Sequence, residues 1–250
     1  MKLVRWLSCV CLAMLCSPAL AELQLLTEDT PPMSFMRDGE VSGFSVEVVR
    51  ALLARTGDSG KIELMPWTRA FYLAQQQADI ALFSTVRTPE REGKFLWVGP
   101  IVVGTTSFYS LRSRNLVIDD LQQAAASGPL ALPKQWYTFE TLSARGFDNL
   151  YGVSTPKQMM TMLKHGRVKL IPTEDLTLAG ELATVDLKPQ DVPAHVPFMR
   201  SAYYIAFSPQ TSVVRVARWQ RALRQMHEDG SLAAILQRWL PHAPMPPVEP

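Results

Sequence analysis

The chain has 250 residues, of which 47% are hydrophobic, and a formal net charge of +2 at pH 7. This length allows one or two domains and is sufficient to bury a hydrophobic core. A charge so near zero argues against a nucleic-acid binder and against a protein held on membranes by a polybasic surface.

The first 21 residues have the composition of a cleavable export signal. Lys2 and Arg5 precede an apolar run over residues 7–15, and Ala19-Leu20-Ala21 is typical of a cleavage site. We expect cleavage after Ala21, with no stable membrane insertion of the mature chain. Because Cys9, Cys11 and Cys16 all lie in this signal, the mature chain is expected to have no disulfide and no Cys-based site.

The first half of the mature chain predicts strands alternating with helices. Predicted strands cover residues 23–27, 61–65 and 80–83, and predicted helices begin at Ser45 as N-cap and at Trp67. This alternation is typical of a parallel sheet with helices on its faces, so the predicted fold class is α/β.

The stretch from Ala78 to Arg91 is the first candidate site. A buried strand is followed by Thr88 and Pro89, which predict a helix start with Arg91 in its first turn. The free helix N–H groups and the guanidinium would together suit an anion, at the strand end where open α/β sheets bind ligands. The alternative is a surface arginine paired with Glu90 or Glu92.

A second unit of similar size follows and repeats the pattern. Predicted strands cover residues 129–132, 150–153 and 168–171, with helices between them. Strands near residues 108 and 204 predict that the chain crosses between two domains twice, with lobe 1 at 22–108 and 205–250 and lobe 2 at 109–204. Two crossings would form a two-strand hinge over a closing cleft.

Several further residues are candidates for this cleft. Glu174 ends a predicted strand in the second unit and could face Arg91, which would suit a zwitterion, or could be a solvated carboxylate at a helix start. Trp67 could stack on a ligand and Arg69 could supply a second cation, although a Trp at this position is more often part of the core. Trp136 and Tyr137 open the first loop of the second unit and could pack on the ligand from the other side.

The sequence predicts no metal site and no cofactor. The four histidines are scattered without metal-ligand spacing. No nucleophile elbow, phosphate loop or dinucleotide fingerprint is present in the sequence.

Taken together, these segments resemble the family-3 periplasmic solute-binding proteins that serve polar amino-acid ABC importers. The resemblance covers nearly all of the mature chain. It is carried by four groups of residues: Pro31-Pro32-Met33-Ser34-Phe35; Gly43-Phe44-Ser45-Val46-Glu47; the Ala78-Asp79 strand with Thr88-Pro89-Glu90-Arg91; and Glu228-Asp229-Gly230-Ser231 with Trp239.

The resemblance implies a two-lobed clamp in the periplasm that works with an inner-membrane ABC permease, and we expect a monomer. It implies that Arg91 binds a ligand carboxylate and that Glu174 stands where the family usually has an Asp for the α-amino group. It adds to the candidate site the loop Ser84, Thr85 and Val86 and the first-loop residue Thr30.

Three departures from the family pattern bear on the ligand. Val86 replaces a usual Ser or Thr, Thr30 replaces an aromatic platform, and Gln135-Trp136 replaces a Gly-Ser pair. A small polar, carboxylate-bearing ligand is expected, an amino acid or a derivative. Two alternatives remain open: a periplasmic dehydratase with Glu174 as general acid, and a sensory protein that presents its ligand to a receptor.

Overall fold

The structure is a computed structural model that describes residues 22–249, so the predicted signal segment lies outside the described residues. The strands of this part of the chain are β1 (Leu23–Thr27), β2 (Phe35–Arg37), β3 (Glu40–Ser42), β4 (Gly60–Leu64), β5 (Ile80–Val86), β6 (Leu96–Tyr109), β7 (Leu130–Pro133), β8 (Leu150–Val153), β9 (Ile171–Glu174) and β10 (Ala194–Phe207). The α-helices are α1 (Phe44–Thr56), α2 (Trp67–Gln76), α3 (Leu121–Ala126), α4 (Tyr137–Ala144), α5 (Pro156–Lys164), α6 (Asp175–Ala183), α7 (Val213–Glu228) and α8 (Ser231–Trp239).

Six strands form the central sheet, in the order β4-β1-β5-β10-β6-β9. β1 pairs in parallel with β4 and with β5, and β7 pairs in parallel with β8 in a separate pair. β10 runs antiparallel to β5 and to β6, and β9 runs antiparallel to β6. The α/β class is confirmed, and β2 and β3 form a hairpin that the sequence analysis did not predict.

The long strands β6 and β10 carry the chain between two hydrophobic cores. Val98 and Val102 of β6 pack in one core with α1, α7 and α8, whereas Phe108 of the same strand packs in the other with β7 and α5. β10 returns the chain in the opposite direction, with Phe198 in the second core and Phe207 in the first. Trp67 and Phe95 belong to a third, smaller hydrophobic cluster, which packs on the face of the central sheet that the first core leaves uncovered.

One local expectation is wrong. No α-helix follows Thr88: residues 89–91 form a turn, and a short 3₁₀ helix covers Glu92–Lys94. β6 then runs unbroken through Gly99, Pro100 and Gly104. β6 passes so close to the start of α6 that a side chain larger than that of glycine would clash at position 104.

Within residues 22–249, no helix combines the length and apolar character needed to cross a bilayer.

Candidate functional site

A buried cavity lies between residues of the two cores, at the ends of β1, β5 and β9. The centre of a water-sized molecule can occupy about 50 Å³ of it, within about 530 Å³ of unfilled space that includes open solvent. Its walls carry two tryptophans and two tyrosines together with one arginine and two glutamates; they are formed by Thr27, Glu28, Thr30, Met33, Trp67, Phe83, Ser84, Val86, Arg91, Trp136, Tyr137, Glu174, Thr177 and Tyr203. A pocket that combines apolar and aromatic side chains with polar groups, here in equal numbers, is typical of a small-molecule site.

Arg91 forms one wall and is fully buried. The turn after β5 places it so that Nε donates to Glu140 Oε2 at 2.7 Å and Nη2 donates to the Gln135 carbonyl at 3.0 Å. Its guanidinium also lies over the Trp67 and Phe71 rings, at 5.1 and 5.0 Å from their centroids. The cation is therefore held by protein groups from both sequence halves, with Glu140 balancing its charge.

Glu174 also lines the cavity and is 2% exposed. It ends β9 and caps α6, where Oε2 accepts the Leu176 N–H at 3.1 Å. Oε1 is buried and has no hydrogen-bond partner among the described residues. Burial, the largest cause, raises the pKa of this carboxyl to about 8, because the charged form loses its hydration.

Gly104 makes room for this carboxylate. A Cβ atom at position 104 would lie 2.6 Å from Glu174 Oε2 and 2.7 Å from Asp175 Oδ1, closer than non-bonded atoms approach. The neighbouring pairing of Thr106 with Glu174 fixes the register of β6 and β9 at this point. The central sheet thus sets the position of the Glu174 side chain.

Two more carboxyls belong to this region: Glu28, which is half-buried and lines the cavity, and Glu181, which is buried. Burial raises the pKa of Glu28 to about 7, and it also raises the pKa of Glu181 to about 7. Glu28 Oε2 accepts the Trp136 indole N–H at 3.2 Å, and Glu181 accepts the Thr173 and Thr177 hydroxyls at 3.0 and 2.8 Å. All these donors are uncharged, so within residues 22–249 no cation balances this group of carboxyls.

Indole groups join the two sides of the cavity. Trp67 Nε1 donates to the Gln135 carbonyl at 2.9 Å, the same oxygen that Arg91 contacts, and Trp136 donates to Glu28. The Tyr137 hydroxyl is hydrogen-bonded to Thr106 Oγ1 at 2.9 Å. Gln135 thus accepts bonds from both Trp67 and Arg91, which links the first half of the chain to the second beside the cavity.

Most of the residues expected from the sequence line this cavity, namely Thr30, Trp67, Ser84, Val86, Arg91, Trp136, Tyr137 and Glu174. Two do not. Thr85 is buried and its hydroxyl donates to the Leu82 carbonyl at 2.9 Å, and Arg69 is exposed on α2. The alternative of Arg91 as a surface residue paired with Glu90 or Glu92 is wrong, since Arg91 is buried and pairs with Glu140.

The sequence analysis missed Glu28, Glu140 and Glu181. Glu28 directly follows the predicted first strand, and that position was a usable signal, because parallel strands present their ends at one sheet edge. Glu140 and Glu181 lie inside helices, where a carboxylate is ordinarily solvated, so no local signal marks them. Across residues 22–249, no group of three or more His, Cys, Asp or Glu side chains is arranged to hold a metal ion.

Comparison with known proteins gives a family. The profile of the bacterial extracellular solute-binding proteins, family 3, matches residues 23–242. The L-cystine-binding protein TcyA of Bacillus subtilis (strain 168) is 20% identical over 200 residues, which are 80% of this chain and 73% of that protein.

Solved structures share the fold. A histidine kinase sensor domain with similarity to periplasmic binding proteins aligns with a TM-score of 0.81 at 18% identity, covering 90% of this chain and 98% of that one. The arginine-, lysine-, histidine-binding protein ArtJ from Geobacillus stearothermophilus aligns with a TM-score of 0.76 at 15% identity, covering 89% and 96%. The fold is thus of the periplasmic-binding-protein type.

Proposed function

We propose a function from the premise that this chain belongs to the bacterial extracellular solute-binding proteins, family 3. It captures a small polar ligand, an amino acid or a derivative of one, in the periplasm and delivers it to an ABC permease of the inner membrane. The observation that carries the proposal is the cavity itself, whose lining combines aromatic rings with Arg91 and with Glu174, a residue with one buried oxygen that has no hydrogen-bond partner among the described residues. A relative, TcyA, is described as binding L-cystine, which is an amino acid.

Ligand capture works through a clamp with the predicted division, residues 22–108 and 205–250 against residues 109–204. Supporting contacts bridge these two parts: Arg91 with Glu140, and Trp67 with the Gln135 carbonyl. β6 and β10 connect the parts as adjacent antiparallel strands, and small changes in their backbone angles would open the cavity. The predicted export signal would deliver the chain to the compartment where this family works.

The cavity binds its ligand and does not transform it. A dehydratase would use Glu174 as an acid, and the raised pKa of this carboxyl meets that requirement. Binding is preferred because the family that matches is one of binding proteins. Incubation with a prephenate-like substrate, followed by chromatography, is expected to return the substrate unchanged.

A thermal-shift screen tests the proposal. The mature chain, freed of carried-over ligand by reversible unfolding, is screened against amino acids, opines, polyamines and small carboxylates. A ligand at about 100 times its Kd stabilises by roughly 2.7 kcal/mol, a shift of a few degrees.

Two variants make the screen specific for the cavity. A hit should disappear in Glu174→Gln and persist in Glu63→Gln, which changes a surface carboxylate that pairs with Lys61 at 2.7 Å. A hit that survives Glu174→Gln would place binding elsewhere, and an absence of hits from every class would overturn the proposal.

A further inference from the structure

One edge of the Arg91 guanidinium is already occupied by protein groups. Its Nε and Nη2 atoms, which form one edge of the guanidinium, donate to Glu140 and to the Gln135 carbonyl. Ligand carboxylates bind arginine best when they accept two parallel hydrogen bonds from one such edge. A carboxylate from a ligand would therefore compete on this edge with a carboxylate that the protein itself supplies.

The carboxyl groups at the cavity, unlike Arg91, have no partner of opposite charge among the described residues. Glu28 and Glu174 both line the space, and Glu181 lies behind them in hydrogen-bond contact with Thr177, another lining residue. The donors that reach these carboxyls are an indole, hydroxyls and a backbone N–H, none of which carries charge. A buried carboxylate without a cation is costly, so a cation brought in by a ligand would be strongly favoured here.

The aromatic walls favour the same kind of ligand. Trp67, Trp136, Tyr137 and Tyr203 face the cavity, with Phe83 beside them. Aromatic faces attract ammonium and guanidinium groups and also cover the apolar methylenes of an alkyl amine. Two of these residues, Trp67 and Trp136, use their N–H groups on Gln135 and Glu28, which keeps their rings fixed in place.

From these contacts we infer that the cavity selects a small organic cation without a carboxylate, such as a decarboxylated basic amino acid, and that Glu140 is the specificity-determining residue that excludes the carboxylate from Arg91. This inference rests on the proposed function and narrows its ligand. Glu174 Oε1 and Glu28 take the cationic nitrogen atoms, and the aromatic rings cover the chain between them. Because Glu140 already neutralises Arg91, a ligand carboxylate would find no free partner of opposite charge.

Matched ligand pairs test the inference on the wild-type chain. Isothermal titration calorimetry compares agmatine with arginine, cadaverine with lysine, and histamine with histidine, since the members of each pair differ only in the α-carboxylate. In at least one pair the amine is expected to bind at least about tenfold more tightly, a difference of roughly 1.4 kcal/mol. The inference is overturned if no amine binds, or if every amino acid binds as tightly as its amine.

Glu140→Gln tests the role of Glu140 separately. This change keeps the shape of the side chain and frees Arg91 from its ion pair, so the affinity for the amino acid should rise about tenfold while that for the amine changes less than about twofold. Equal changes in affinity for the amino acid and for the amine would show that Glu140 does not determine specificity. Glu63→Gln is the control, because Glu63 forms a surface ion pair with Lys61 at 2.7 Å and does not line the cavity.

The two proposals fail in different ways. If the amines do not bind but another compound of the thermal-shift screen does, with loss in Glu174→Gln, the cation inference is wrong and the solute-binding function stands. If no compound of any class stabilises the protein, both proposals are wrong.

Discussion

Two buried carboxylates of this molecule are held in opposite ways. Asp58 lies near the end of α1, where Oδ1 accepts Arg218 Nη2 at 2.6 Å and Oδ2 accepts the Trp219 indole N–H at 2.7 Å, with Arg215 Nε at 3.5 Å. Glu174 lines the cavity with one backbone N–H on Oε2, and its Oε1 has no partner within residues 22–249.

The difference distinguishes a carboxylate that stabilises the fold from one that is available to a ligand. Asp58 has two arginines, so its charge is balanced inside the folded chain and contributes to stability. Glu174 has no cation among the described residues, so its burial costs free energy until a partner arrives. A binding site can retain such a cost because the ligand removes it. The predictions below test this contrast.

The largest effect is expected on the pH dependence of stability. Burial raises the pKa of Glu28 and Glu181 to about 7 and that of Glu174 to about 8, against an ordinary value of 4.5. Between about pH 4.5 and 8 the unfolded chain releases these protons while the folded chain keeps them. The free energy of unfolding of the ligand-free protein should therefore fall as pH rises through this window.

Urea denaturation at successive pH values measures this slope. Glu174→Gln removes one titrating group, so its slope should be shallower and the variant should be more stable than the wild type near the upper end of the window. A wild-type stability that rises from pH 4.5 to 8 would contradict the assignment of these carboxyls as buried and unbalanced.

The second effect is expected at Asp58. Asp58→Asn removes the carboxylate that Arg215 and Arg218 share, and because Arg215 keeps its ion pair with Asp79 at 2.6 Å, the loss should lie near the lower end of the about 3–5 kcal/mol that breaking a buried pair costs. Chemical denaturation should show a loss of this size, while the Kd of any cavity ligand stays the same. Asp186→Asn is the control, since that side chain is 95% exposed and its substitution should be neutral. A change in Kd without a loss of stability would show that Asp58 contributes to binding and not to the stability of the fold.

A smaller effect is expected at Gly104. Gly104→Ala would put a methyl group against the Glu174 carboxylate and displace it, so the affinity for a cavity ligand should fall about tenfold. Calorimetric titration measures the loss. Gly93→Ala serves as the control because an added Cβ there meets nothing within 4 Å. An unchanged Kd in Gly104→Ala would show that the observed position of Glu174 is not needed for binding.

The smallest effect is expected at Trp136. Trp136→Phe keeps an aromatic ring on the cavity wall but removes the 3.2 Å hydrogen bond to Glu28, which should cost roughly 1 kcal/mol of stability. Circular dichroism during denaturation measures it without relying on indole fluorescence. Trp97→Phe, which loses a bond of 3.1 Å to the Glu92 carbonyl, should leave the Kd of a cavity ligand unchanged, whereas Trp136→Phe should weaken it.

Local sequence patterns predicted most of the fold. The strand over Leu150–Val153 has the predicted bounds, and helix α2 begins at the predicted Trp67, because hydrophobic periodicity and turn residues are local signals. The helix expected after Thr88 is wrong because a start signal alone does not form a helix. A cap residue and a proline favour a helix start, but no amphipathic segment follows them to be buried.

The site was predictable only in part. Arg91 and Glu174 follow strand ends, and their positions relative to the sheet could be inferred from that pattern. The partners of Arg91 could not, because Glu140 lies 49 residues away and the Gln135 carbonyl lies 44 residues away in sequence. Contacts between the two halves of the chain depend on how the halves close, which no local pattern encodes.

A crystal structure of the chain with bound agmatine tests the account most directly. The account predicts a ligand nitrogen within about 3 Å of Glu174 Oε1. It also predicts that the Arg91–Glu140 ion pair, 2.7 Å long in the present structure, is retained. Agmatine bound outside the cavity, or inside it with Glu174 still unpartnered, would contradict the account.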